Sequence, residues 1–143
     1  MKIRVLLVDD EKQFVDVLAE RLETRDFDVT IAYSGDEALE AVKSKPLDVV
    51  VLDVLMPGRD GIETLVEIKR IKPILEVIML TGNATVESAV EGMKIGAFDY
   101  LMKPTETKDL VGKIVTAYKR KAEHEERIRK AEIDRIMTTR GWG

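Results

Sequence analysis

Three carboxylates, a hydroxyl and an ammonium stand at the ends of apolar runs spread along the chain. Asp9 and Asp10 follow Ile3 to Val8, Asp53 follows Val49 to Leu52, Thr81 follows Leu75 to Leu80, and Lys103 follows shortly after Ala97 to Leu101. Acids brought together need a counter-charge, because two unit charges about 4 Å apart repel by roughly 4 kcal/mol at an effective dielectric of about 20. An all-oxygen site with few protein ligands suits magnesium. A carboxylate flanked by such a cation and an ammonium can attack phosphorus, as in enzymes that form an aspartyl phosphate. Asp53 is the expected nucleophile, since it lies centrally, on the strand expected to be most buried. Asp9 and Asp10 are better placed to hold metal, and Thr81, with room beside it at Gly82, can donate a hydrogen bond to the transferred group.

Those groups act together only if the fold gathers them. The runs Ile3–Val8 and Val49–Leu52, bounded by charge and by turn residues, read as strands buried on both faces. Val29 and Ile31 alternate with polar residues and predict a weaker edge strand. Further strands are expected over Leu75–Leu80 and Ala97–Leu101. Between them, helical spacing of apolar residues predicts helices over 11–24, around Ala38 to Val42, over 61–71, from about Ala84 to Ile95 with Val86, Ala89, Val90 and Met93 inward, and from Thr107. Gly96 reads as a helix C-cap. The methionines at 56, 79, 93 and 102 read as core filler. Strands alternating with helices predict an α/β, doubly wound five-stranded parallel sheet. Right-handed crossovers place every strand C-terminus on one edge, where such sheets bind ligands. The bland reading of each acid, a helix start favoured by the helix dipole, accounts for Glu11 but poorly for a pair where a strand ends.

Composition bounds the rest. The 143 residues suit one domain plus a short extra element. A net charge of −4 argues against a nucleic-acid binder, and the lack of cysteine excludes disulfides and thiolate metal sites. The apolar start is too short for a signal peptide or membrane span, so a cytoplasmic location is expected.

As a set, Asp9-Asp10, Asp53 with MPGRDG close behind, Thr81-Gly82, Tyr100 and Lys103-Pro104 resemble the receiver domain of two-component response regulators, over roughly residues 1–120. The stretch LTGNATVESAVEGMKIGAFDYLMKP is similar to receivers of NtrC-type activators. The resemblance implies strand order 2-1-3-4-5. It implies that Asp53 takes a phosphoryl group from a histidine kinase or phosphotransfer protein, with Asp10, Asp53 and the Leu55 carbonyl on Mg2+ and Asp9 acting through water. It further implies that Lys103 binds a phosphoryl oxygen across a cis Lys103–Pro104 bond, and that Thr81 and Tyr100 form a switch pair. Side chains at Leu55 and Asn83 would set how fast the acyl phosphate hydrolyses, Leu55 by shielding it from water; Arg59 stands where an apolar residue is frequent. Such a protein is not a classical enzyme, although it catalyses its own phosphorylation and dephosphorylation.

Residues 121–143 form a charged tail, in which Glu125/Arg129 and Glu126/Lys130 support a helix and Ile128, Ile133, Ile136 and Met137 give a thin apolar stripe. It reads as a solvated helix or as a C-terminal helical extension of the last helix that packs against a second copy, giving a homodimer through the last helix and tail; Trp142 reads as part of a disordered end. His124 lies among charges and reads as solvated. Rivals are weaker. A dinucleotide-binding turn needs glycines where this chain has acids, and an aspartyl phosphohydrolase usually carries a second Asp where Leu55 stands. Signalling to an unidentified downstream protein by contact is expected, without DNA binding. Alternatives are a receiver fragment of a longer transcriptional activator and a phosphorylation-independent docking module.

Overall fold

Alternation along the strands decides which face of the sheet each residue serves. The computed structural model describes residues 2–56, 60–82 and 86–139. The strands are β1 (Arg4–Val8), β2 (Asp28–Ala32), β3 (Val49–Leu52), β4 (Glu76–Thr81) and β5 (Asp99–Met102). The helices are α1 (Lys12–Glu23), α2 (Gly35–Ser44), α3 (Gly61–Ile71), α4 (Val86–Ile95) and α5 (Thr107–Thr139). The sheet is parallel throughout, in the order β2-β1-β3-β4-β5. Leu6, Val8, Val50, Leu52, Val77 and Met79 face one core with α2 and α3. Val5, Leu7, Val49, Val51, Ile78 and Leu80 face the other with α1 and α5. β3 sits in the middle and is wholly buried, whereas β2 and β5 are the half-exposed edges.

Local chemistry sets the ends of these elements. Ser34 caps α2 by accepting from the Glu37 amide at 3.1 Å, and Asp60 caps α3 by accepting from the Glu63 amide at 2.8 Å. Gly96, at φ +125°, ends α4. Gly61 is required sterically: a Cβ there would lie 2.3 Å from the Asp53 carbonyl oxygen and 2.4 Å from the Val54 Cα. The start of α3 therefore rests directly on the backbone that carries Asp53.

Three expectations need correction. Of the α4 residues expected inward, Ala89 is buried, but Val90 and Met93 are exposed, as is Met102; only Met56 and Met79 serve the core. Helical spacing identified a stripe wider than the surface α4 covers. The side chain of Val86 lies outside the described residues, as do Asn83, Arg59 and Trp142. In the tail, Glu125 pairs with Lys121 and Glu126 with Arg129, rather than each with the cation four residues on. The C-terminal helical extension is there as expected: α5 runs unbroken for 33 residues, with Lys121 buried against the body. Beyond it the helix is exposed, His124 included.

Candidate functional site

The C-terminal rim of the sheet gathers what the sequence scattered. The Asp9 amide continues the β1 ladder by donating to the Ala32 carbonyl, and the Asp53 amide donates to the Val8 carbonyl, which fixes both acids at the rim. Asp9 and Asp53 are buried and Asp10 is exposed. One carboxylate oxygen from each of the three lies within 4.8 Å of the others. Lys103 reaches this cluster from the far side of the sheet. Its amide donates to the Thr81 carbonyl, its bond to Pro104 is cis, and its ammonium lies 2.6 Å from Asp9 and 4.0 Å from Asp53. Thr81 is buried and its hydroxyl hydrogen-bonds the Asp53 carboxylate. The Leu55 amide donates to Asp53 at 3.3 Å, while the Leu55 side chain is half-exposed beside it.

The rim is short of positive charge. Burial first, and then the neighbouring Asp9, push the Asp53 carboxyl from its ordinary 3.8 up to about 6, against the pull of Lys103 and of the hydrogen bonds from Leu55 and Thr81. Burial opposes the charge of Lys103, but its hydrogen bonds to Asp9 and Glu11 and the charges of Asp9 and Asp53 together outweigh that and raise it. Three hard oxygen donors around an uncompensated charge fit magnesium, and Asp9, Asp10 and Asp53 could hold it.

Not every expected residue joins the cluster. Tyr100 is exposed on β5, where it lines a surface hollow with Ala89, Val90, Met93 and Lys94. Gly82 lies beside the Lys103 stem, where a Cβ would come into ordinary contact at 3.8 Å. Two neighbours of Lys103 were not foreseen. Glu11 accepts from the ammonium at 3.1 Å, and the Phe14 ring lies under it. Adjacency to the acid pair was the only sequence signal for Glu11, and Phe14 carried none beyond helical spacing.

Residues 5–115 match the response regulator receiver domain family. Over 103 residues the chain is 44% identical to the transcriptional regulatory protein ZraR of Salmonella typhimurium, covering 72% of this chain and 23% of that protein. It thus spans about a quarter of the length of the curated relatives it matches. Among solved structures, a response regulator receiver domain protein from Clostridium thermocellum is 37% identical with a TM-score of 0.80, covering 84% of this chain and 97% of that one. NtrX from Brucella abortus is 31% identical with a TM-score of 0.82, covering 88% of this chain and 29% of that one.

Proposed function

The chain belongs to the response regulator receiver domain family, and on that footing we propose that Asp53 is its phosphoacceptor. A receiver of this kind is a phosphorylation-activated signalling switch. In the reading favoured here, a histidine kinase or phosphotransfer protein presents a phosphohistidine to the rim. An Asp53 carboxylate oxygen bonds to phosphorus as the phosphorus–nitrogen bond breaks, and the electron pair leaves with the imidazole nitrogen. Lys103 pairs with a phosphoryl oxygen, and Thr81 donates its hydroxyl to another. Tyr100 responds by turning inward from its exposed position. Asp10, Asp53 and the Leu55 carbonyl, with Asp9 behind them, would hold Mg2+, which would supply charge neutralisation. The protein promotes only its own phosphorylation and dephosphorylation.

The observation that carries this reading is the Lys103 ammonium, 2.6 Å from Asp9 and 4.0 Å from Asp53 on a rim where three carboxylates converge. Had Lys103 pointed elsewhere, the acids alone would support no phosphoryl chemistry. The test is incubation of the whole chain with magnesium and acetyl phosphate, followed by intact mass. One added phosphoryl group on wild type and none on Asp53→Asn is expected; addition to both variants sinks the assignment of Asp53.

Residues 1–120 form the switch in this reading, and residues 121–143 an arm that offers its face to a second copy. No helix among the described residues is long and apolar enough to cross a membrane, and the proposed setting is the cytoplasm, with output through protein contact. One observation favours a second reading, a receiver that is part of a longer transcriptional activator: the match covers only 23% of ZraR. Immunoblotting the native protein discriminates, since the activator reading requires a mass well above 16.1 kDa.

A further inference from the structure

We propose that Phe14 is a positioning residue for Lys103, its ring face fixing where the ammonium sits relative to Asp53. The inference rests on Asp53 being the phosphoacceptor. The Lys103 side chain is only 12% exposed, so its charge depends on fixed neighbours rather than bulk water. An ammonium has three donors. Asp9 takes one at 2.6 Å and Glu11 another at 3.1 Å. Asp53 lies at 4.0 Å, and the Phe14 ring centroid lies 4.3 Å from Nζ.

Phe14 is an odd choice if packing alone is at stake. It stands in the first turn of α1, and unlike Val15 and Leu18 it is not fully buried. Away from the ammonium it lines an open pocket of about 370 Å³ with Val17, Leu18, Leu80 and Thr105. A leucine would cover those neighbours as well. Only an aromatic ring presents a negative face to a cation. Two other cation–ring pairs occur among the described residues, Lys12 over Tyr33 and Arg120 over Phe98, and neither cation belongs to the rim cluster. Without the ring, the underside of Lys103 would face apolar surface. The ammonium would then settle toward Asp9 and the exposed Glu11, away from the oxygen that must attack.

The experiment compares Phe14→Leu and Phe14→Met with Phe14→Tyr and Phe14→Trp in the whole chain. Phosphorylation by acetyl phosphate with magnesium is followed across donor concentrations. The Lys103 ε-methylene proton shifts are read by NMR without donor. Phe14→Leu and Phe14→Met are expected to lose the upfield ring-current shift and to slow phosphorylation at saturating donor about fivefold, the scale of a partly buried cation–π contact. The aromatic variants should stay within about twofold of wild type, and two apolar variants guard against one that fails to fold. Wild-type rates in the apolar pair, or equal slowing in all four, overturn the role of Phe14 alone. A wild-type chain that takes no phosphoryl group instead overturns the Asp53 reading and this role with it.

Discussion

The two ends of β3 carry the same side chain in opposite electrostatic states. Asp48 precedes the strand and Asp53 follows it; both are buried, at 3% and 5% exposure. Asp48 is saturated. It accepts from the Arg4 amide at 2.8 Å, from two Arg4 guanidinium nitrogens at 3.1 Å, and from Lys121 at 3.3 Å. Burial pushes its carboxyl up, yet Arg4 and Lys121 together hold it below the ordinary range. Asp53 has a hydroxyl, one long amide bond, a cation at 4.0 Å and a second acid nearby, and it is pushed up to about 6. Burial is common to both ends, so the partners decide the outcome. The lower end is compensated by its cations; the upper end is left short of positive charge. Glu76 at the start of β4 repeats the lower pattern, buried between Arg120 and Lys69.

The sharpest way to break this contrast is to remove each acid in turn. Asp48→Asn strands two cations against the body, and removing one partner of a buried pair typically costs about 3–5 kcal/mol. Since Arg4 is 38% exposed and can regain water, a loss of about 2–4 kcal/mol in denaturant unfolding at pH 7 is expected. Asp53→Asn should do the reverse. Its folded value of about 6 exceeds the ordinary 3.8. The stability this group contributes is therefore fully present below about pH 4 and is lost as pH rises through about 6. A two-unit displacement corresponds to at most about 3 kcal/mol, so Asp53→Asn should gain about 1–3 kcal/mol at pH 7 and nothing at pH 4. A gain that persists at pH 4 would mean that packing, not charge, separates the two ends.

The upper end was the more legible of the two, for a physical reason. An apolar run that stops at a charge marks both the strand and its exposed rim, so Asp9, Asp53 and Lys103 could be placed before any contact was known. β3 and α3 fall where the patterns put them, because turn residues and Gly61 bracket them. The lower end left no such mark. Asp48 just before β3 and Glu76 at the start of β4 read as if solvated, and most of their cations lie far along the chain: Lys121 is 73 residues from Asp48 and Arg120 is 44 from Glu76. Lys121 itself read as part of a solvated tail. Val90 and Met93 were misplaced because spacing says which residues share a face, not whether anything covers it.

Magnesium sharpens the comparison at smaller amplitude. A ligand that binds only the folded state at ten times its dissociation constant adds about 1.4 kcal/mol. Wild type and Asp48→Asn should gain that alike, because the lower end holds no part of the site. Asp53→Asn should gain much less. The cation should also pull the Asp53 titration down from about 6, which carboxylate NMR would follow. Equal stabilisation of all three proteins would mean that magnesium binds away from the rim.

The smallest expected effect separates the anchor from the arm. A chain ending at Arg120 keeps the grip on Glu76 but deprives Asp48 of Lys121, whereas a chain ending at Ala122 keeps both. Lys121 lies at a long 3.3 Å from Asp48 and shares its ammonium with Glu125, so its loss should cost about 1 kcal/mol, the scale of one net hydrogen bond. The exposed remainder carries Ile128, Ile133, Ile136 and Met137 on a helix that nothing in the body covers. Its removal should cost the monomer little, since solvated helix contributes few contacts. Denaturant midpoints that differ between the two truncations, with identical sizing profiles, would place the structural boundary after Lys121. If both truncations instead lose assembly equally and unfold alike, Lys121 belongs with the arm, and the compensated lower end reduces to Asp48 with Arg4.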